Sequence, residues 1–136
     1  MGRIDKNNLF WTYYKNLNPA QKKAVDTIEG PVMVVAGPGT GKTSVLTLRI
    51  ANILRNTDIE PENILALTFT DAAASNMRRR LAEIIGSPAY RVGIQTFHGF
   101  CNDLIQSYPE EFPHIAGSKP ATEGDQLRLL EYLVKH

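Results

Sequence analysis

Three short uncharged runs recur along the chain, and each is followed by a segment in which apolar residues repeat at helical spacing. Runs of this length, bounded by turn-forming residues, predict buried strands. The runs cover residues 32–36, 64–69 and 92–97. The helices that follow them are predicted at residues 42–55, 72–85 and about 99–107. Because strand and helix alternate three times, we predict an α/β fold in which a small parallel sheet is flanked by helices.

Two further helices are predicted from their capping residues. Asn18 and Pro19 are residue types preferred at the N-cap and at the first helical position, so a helix is expected from there to about residue 28. Thr122 and Asp125 have the spacing of a capping box at the start of a helix over residues 123–135. Residues 1–16 carry an aromatic cluster, which we expect to dock on the domain rather than to stack on nucleic-acid bases.

The turn after the first predicted strand has the composition of a phosphate-binding loop. Gly37, Gly39 and Gly41 allow positive φ angles and a close approach of the backbone to a ligand. The helix that starts at Lys42 directs unpaired N–H groups and its positive dipole end at the loop. In such a P-loop the lysine contacts the β- and γ-phosphates, and the hydroxyl of Thr43 would ligate Mg²⁺.

The loop departs from the strict motif at one position. The motif has a glycine six residues before the lysine, and this chain has Ala36 there. Relaxed forms of the motif accept alanine, and the strand before the loop and the helix after it supply the structural context that the motif requires. We therefore retain the prediction of a nucleotide phosphate site, against the alternative of a chance glycine turn.

The composition indicates a globular chain with no strong preference for a charged partner. Hydrophobic residues make up 43% and charged residues 21% of the sequence, and the net charge is +1. Cys101, the only cysteine, cannot form an internal disulfide and is predicted to be a small buried side chain in a reducing compartment. No apolar run approaches the length of a membrane span and the N-terminus is unlike a signal peptide, so we expect a cytoplasmic protein without a membrane partner.

Three further motifs accompany the glycine-rich loop in order. Residues 17–25 precede it, residues 67–78 include the end of the second predicted strand, and residues 96–101 include the end of the third. Together with the loop they resemble the N-terminal part of the superfamily 1A DNA helicases, the UvrD/Rep/PcrA group, over roughly residues 17–136. The resemblance implies a RecA-like P-loop NTPase fold and a parent protein that unwinds DNA with 3′–5′ polarity at the expense of ATP.

The resemblance also implies which residues contact ATP and Mg²⁺. Gln21 lies where the family's Q motif reads the edge of adenine, and an amide suits this role because it donates and accepts at once. Arg49 resembles an arginine of the same helix in the family, although a solvated surface charge explains it equally well. Lys42 and Thr43 would act at the reacting phosphate, with Thr43 on Mg²⁺. The implied nucleotide site comprises Gln21, Gly37, Gly39, Thr40, Gly41, Lys42, Thr43 and Ser44.

Two motifs imply contacts with single-stranded DNA. Phe69 and Thr70 match the family's motif Ia, and Thr96, Phe97 and His98 match its motif Ib. A phenylalanine at a strand end can stack on a base, and a threonine hydroxyl can bond a phosphate. Without the family, Phe69 is equally consistent with core packing, and His98 with an ordinary residue at a helix start.

The departures from the family lead us to expect limited activity. Relatives commonly carry Asn-Lys after the Phe-Thr pair, where this chain has Asp71 and Ala72, so we expect weak DNA binding. The Asp-Glu pair that the family places at the end of a further strand does not occur in the sequence, nor does a second motor domain. We therefore expect an N-terminal fragment that binds ATP without hydrolysing it alone and that acts with the rest of the helicase motor.

The expected organisation has three parts. Residues 1–16 form an N-terminal segment, residues 17–108 form a partial RecA-like 1A subdomain, and residues 109–136 are an irregular stretch and a helix that enter the 1B subdomain. The alternative is a stand-alone P-loop module that binds nucleotide or docks a partner without turnover. A small nucleotide kinase is a third candidate, which the Q motif and the Thr-Phe-His segment disfavour.

Overall fold

A computed structural model describes residues 6–115, 118 and 121–135, with side chains described from residue 9 onward. Six α-helices and two β-strands occur in this part of the chain. In chain order they are α1 (Lys6–Lys15), α2 (Pro19–Asp26), α3 (Lys42–Asn56), β1 (Leu65–Thr68), α4 (Asp71–Ile85), β2 (Gly93–Thr96), α5 (Phe97–Ser107) and α6 (Glu123–Lys135). Short 3-10 turns lie at Pro61–Asn63, Ser87–Tyr90 and Pro109–Glu111.

The two strands form a parallel pair joined by the crossover helix α4. Their register pairs Leu65 with Gly93 and Thr68 with Thr96, so the strands are in step over their whole length. Because parallel strands point in the same direction, the residues that follow Thr68 and Thr96 leave the sheet at the same edge. The expected α/β architecture with a parallel sheet is confirmed at this level.

The strand predicted before the glycine-rich loop does not form. Residues 31–37 have no regular secondary structure, and Met33 and Val35 are 88% and 86% exposed. A strand exists only through hydrogen bonds to a neighbouring strand, and no described segment pairs with this one. The prediction of a third strand at 32–36 was therefore wrong for the described residues, although the segment has the composition of a buried strand.

The core is formed by the first four helices and one face of the strand pair. Helices α3 and α4 pack directly on each other, and α1 and α2 pack on α3. The largest fully buried side chains are Phe10, Val25, Thr47, Leu81 and Val92. Full burial of apolar side chains of this size stabilises a fold by about 1.5–3 kcal/mol each.

Helix α1 docks on this core through its aromatic residues, as expected for the N-terminal segment. Phe10 is 1% exposed, and the guanidinium of Arg55 lies 4.3 Å from the centre of its ring. The hydroxyl of Tyr14 donates a hydrogen bond of 2.6 Å to the Asp26 carboxylate on α2. This bond raises the pKa of Tyr14, because the carboxylate favours the protonated phenol.

The chain divides into two compact units, Met1–Phe100 and Cys101–His136. In the second unit no residue of α6 is buried, and Leu127, Leu130 and Leu133 are all exposed. Cys101 is also exposed, so the prediction of a buried thiol was wrong. No helix in the described part of the chain is long and apolar enough to cross a membrane.

Candidate functional site

The glycine-rich loop ends in a helix start that its own side chains leave open. Gly39 and Gly41 have φ angles of +72° and +78°, the left-handed region that costs other residues about 1–2 kcal/mol. Gly41 is the N-cap of α3, and among the described residues no side chain accepts a hydrogen bond from the first turn of that helix. The N–H groups of this turn therefore point to solvent at the positive end of the helix, where an anion is favoured.

Lys42 lies in the loop rather than in solvent. Its ammonium donates a 2.7 Å hydrogen bond to the Gly37 carbonyl and a 3.2 Å bond to that of Ala36. The hydroxyl of Thr40 donates to the same Gly37 carbonyl at 2.8 Å. The ammonium is thus held inside the loop by two of the loop's own carbonyl groups. Only carbonyl dipoles hold the charge there, so a phosphate would be a much stronger partner for it.

Thr43 has a hydroxyl that fits a metal ligand. Its side chain is half-buried, and its hydroxyl makes no hydrogen bond within the described residues. In the same part of the chain, no three His, Cys, Asp or Glu side chains cluster in a way that could hold a metal ion.

Gln21 ties the start of α2 to the loop. Its side-chain oxygen accepts a hydrogen bond from the backbone N–H of Asn18, and its backbone N–H donates to the side-chain oxygen of Asn18. Both bonds are 2.9 Å long, and together they form a capping box. Its side-chain nitrogen donates to the Thr40 carbonyl at 2.9 Å. The structure therefore places Gln21 beside the loop with its amide engaged by backbone, and one side-chain N–H remains for a ligand.

Arg49 has a structural explanation. Its guanidinium donates to the Ala24 carbonyl at 2.6 Å and also to the Thr27 carbonyl, both at the end of α2. A cation at a helix C-terminus satisfies carbonyls that lack partners within the helix and faces the negative end of the dipole. Arg49 is therefore neither a free surface charge nor directed at the loop; it fixes α2 against α3.

The carboxyl edge of the strand pair carries exposed aromatic residues. Phe69 is 83% exposed and Phe97 is 54% exposed, and they directly follow the paired residues Thr68 and Thr96. His98 is exposed beside them. Packing in the core does not explain Phe69, since most of its ring is in contact with solvent. This edge of a parallel sheet is also where ligands commonly bind in α/β proteins.

The two threonines of the predicted DNA-binding motifs have local partners. Thr70 is the N-cap of α4, and its hydroxyl accepts from the backbone N–H of Ala73 at 3.1 Å. Thr96 is 9% exposed, and its hydroxyl accepts from the backbone N–H of Gly99 at 3.1 Å. Both hydroxyls thus close helix starts, which orients the neighbouring Phe69 and Phe97.

Comparison with known proteins places this arrangement in a family. A family model described as the UvrD/REP helicase N-terminal domain matches residues 17–136. This chain belongs to the UvrD/REP helicase family.

Two curated relatives extend the comparison. This chain is 48% identical to an ATP-dependent DNA helicase PcrA of Staphylococcus epidermidis over 92 residues, which are 68% of this chain. Over 91 residues, 67% of this chain, it is 45% identical to an ATP-dependent DNA helicase PcrA of Staphylococcus aureus. The matched region spans only 13% and 12% of the length of these relatives. The likeness to the UvrD/REP helicases is therefore strong over a short part of the whole protein.

The contact between Arg80 and Ser44 could not be predicted from the sequence. Three consecutive arginines on α4 have three different partners: Arg78 donates to the Ile94 carbonyl at 2.5 Å, Arg79 to Asn76 at 2.8 Å, and Arg80 to the Ser44 hydroxyl at 2.8 Å. Helical geometry predicts that they diverge, because successive residues point about 100° apart. The sequence does not indicate that Arg80 reaches α3, the helix that follows the glycine-rich loop.

Proposed function

We propose that this chain is the nucleotide-binding N-terminal part of a cytoplasmic, ATP-dependent 3′–5′ DNA helicase motor. The observation that carries the proposal is the open start of α3, with the Lys42 ammonium already in the loop and the Thr43 hydroxyl without a partner. Membership of the UvrD/REP family supports it, and so do the matched relatives, whose names describe ATP-dependent DNA helicases.

The proposed ATP site is the loop together with the first turn of α3. Lys42 would neutralise the β- and γ-phosphates, the open N–H groups would bind phosphate oxygens, and Thr43 would hold Mg²⁺. The remaining N–H of Gln21 would contact the base. In this organisation residues 17–108 belong to subdomain 1A, and residues 109–136 lead into subdomain 1B.

The proposed DNA-binding surface is the carboxyl edge of the strand pair. Phe69 and Phe97 would stack on bases of a single strand, a contact that tolerates any sequence. Thr70 and Thr96 would keep these rings in position, and His98 would reach the phosphate backbone. Asp71, exposed in the first turn of α4, adds a negative charge beside this edge. We therefore expect weak binding of single-stranded DNA that falls further as salt increases.

Calorimetric titration with ATP and Mg²⁺ tests the nucleotide site. We expect weak, Mg²⁺-dependent binding that is lost in Lys42→Ala, because that change removes the cation that faces the phosphates. Circular dichroism of both proteins controls for folding. Titration of folded wild-type protein without any heat of binding, at several temperatures, would contradict the proposal.

Phosphate release tests the expected absence of turnover. The sequence contains no strand that ends in an Asp-Glu pair, and transition-state arginines are worth roughly 10³–10⁵ in rate in related reactions. We expect no measurable release by this chain alone, with or without single-stranded DNA. The expectation would be contradicted if DNA stimulated phosphate release and Lys42→Ala abolished it. That result would show a complete catalytic site in the chain itself.

A further inference from the structure

We propose that Arg80 is a positioning residue of the nucleotide site, which it serves by holding the first turn of α3 through Ser44. The proposal rests on the proposed nucleotide-binding function. Its direct basis is the 2.8 Å hydrogen bond from the Arg80 guanidinium to the Ser44 hydroxyl, which joins residues 36 positions apart in the chain. Ser44 directly follows Lys42 and Thr43, so a restraint on Ser44 acts on the turn that presents both of them.

The contact lies at the border of the apolar interface between α3 and α4. Val45 and Leu81, each adjacent in sequence to one of the bonded residues, are buried in the common core. Since these neighbours are held by close packing, the backbone on both sides of the hydrogen bond has little freedom to move. The bond therefore adds a directional restraint between α4 and the first turn of α3 to a contact that is already rigid.

The electrostatics of the site favour a role toward an anion. Arg80 lines a cavity of about 500 Å³ together with Gln21, Gly41 and Ser44, so its charge lies close to the start of α3. A cation is unfavourable at the positive end of a helix when the site holds no anion. The same arrangement becomes favourable when phosphate groups bind to the loop. No acidic partner of Arg80 within 4.0 Å relieves this repulsion in the described part of the chain.

The restraint complements the one made by Gln21. Gln21 holds the Thr40 carbonyl from α2, before the helix begins, whereas Arg80 holds Ser44 from α4, just after it begins. The loop is thus fixed on both sides of Gly41 by side chains that come from different helices. A phosphate site gains affinity when its donors are already in place, because less freedom is lost on binding.

Arg79 provides a matched control. It is the neighbouring residue on α4, is exposed like Arg80 and carries the same charge, but it donates to Asn76 in its own helix. Arg79 lines the same cavity, so removing it changes the net charge and the charge near α3 in the same way but leaves the hydrogen bond to Ser44 intact. Ser44→Ala removes the acceptor of the Arg80 hydrogen bond and keeps the net charge.

The test is a double-mutant cycle read by ADP–Mg²⁺ and ATP–Mg²⁺ titration, with the free energy of unfolding measured for each variant. We expect Arg80→Ala and Ser44→Ala each to weaken binding about fivefold, and we expect the double variant to lose no more than either. Unfolding free energies should match that of Arg79→Ala, which should bind like wild type.

Two outcomes would overturn the assignment. If Arg80→Ala and Arg79→Ala bind nucleotide equally well, the hydrogen bond has no role in the site. If the losses in Arg80→Ala and Ser44→Ala add in the double variant, Arg80 acts on the nucleotide directly and not through Ser44. A wild-type chain that binds no nucleotide would instead refute the proposed function, which Lys42→Ala reports independently.

Discussion

Helices α3 and α4 have the same length, 15 residues, yet their first turns are completed differently. At α4 the N-cap is Thr70 with an extended backbone, and its hydroxyl accepts from the Ala73 N–H. At α3 the N-cap is Gly41 in the left-handed region, which has no side chain to offer. The N-cap side chain of α4 therefore satisfies one N–H of its first turn, whereas the N-cap of α3 satisfies none.

The other helix starts follow the pattern of α4. Capping boxes close α2 and α6, and the Thr96 hydroxyl accepts from the first turn of α5. Among the helices whose N-caps the structure describes, only α3 has an open first turn. A glycine N-cap costs only a few tenths of a kcal/mol relative to a good cap, so the open start of α3 is a small loss of stability. The difference between the two kinds of helix start can be tested by exchanging their chemistry.

The largest effect is expected when an anion is placed at the open start. Gly41→Asp should weaken ATP–Mg²⁺ binding by roughly a hundredfold, because a carboxylate would repel the phosphates at close range. Aspartate tolerates the left-handed backbone better than most residues. Calorimetric titration measures the loss.

Gly30→Asp is the matched control for this change. Gly30 has a similar φ of +71° and an added Cβ there would meet nothing within 4 Å, so the strain and the added charge are alike. The Gly30→Asp variant should bind ATP–Mg²⁺ with the affinity of the wild-type protein. Equal affinity losses in the two variants would show that the charge at the α3 start is not specific.

The closed start of α4 should matter for stability and not for nucleotide. Thr70→Ala should lower the free energy of unfolding by about 1 kcal/mol, since the Ala73 N–H loses its acceptor. Thr70→Ser, which keeps the hydroxyl, should restore most of it. Denaturant unfolding monitored by circular dichroism gives both values. A fall in ATP affinity with unchanged stability would contradict the division of roles drawn from the two helices.

The start of α2 combines both roles through Gln21. Asn18→Ala and Gln21→Ala both remove the capping box, so each should destabilise the fold by a similar amount, about 1 kcal/mol. Only Gln21→Ala also frees the Thr40 carbonyl of the loop. We expect it to weaken nucleotide binding about threefold more than Asn18→Ala does, the effect of one modest hydrogen bond. Titration of both variants with ATP–Mg²⁺ makes the comparison, and identical affinities would show that the loop does not depend on Gln21.

The smallest effect concerns the closed start of α6 and its response to pH. Hydrogen bonds from the Thr122 hydroxyl and backbone N–H lower the pKa of Asp125, because both favour the ionised carboxylate. A lowered pKa stabilises the helix above the ordinary value of 3.8, and this contribution is lost as the pH falls through the lowered value. An NMR titration should report a lower pKa for the Asp125 carboxyl in the wild-type protein than for the same carboxyl in Thr122→Ala. Equal pKa values would exclude the cap as the cause.

The sequence by itself determined the features whose partners lie within a few residues. The caps at Asn18, Thr70 and Thr122, the glycine-rich turn and the helices after it follow from hydrogen bonds between residues about three apart. The four ordered motifs also identified the family. Such features are predictable because residue type and spacing alone specify their geometry.

Only the tertiary structure decided the features that depend on distant segments. The residues before the loop have the composition of a strand, but a strand requires a paired neighbour, and here they remain exposed without one. The partners of Arg49 and Arg80 lie on other helices, and the exposure of Phe69 depends on how β1 ends beside β2. Side-chain periodicity states which face of an element is apolar, whereas the packing of whole helices and strands determines what each polar side chain reaches.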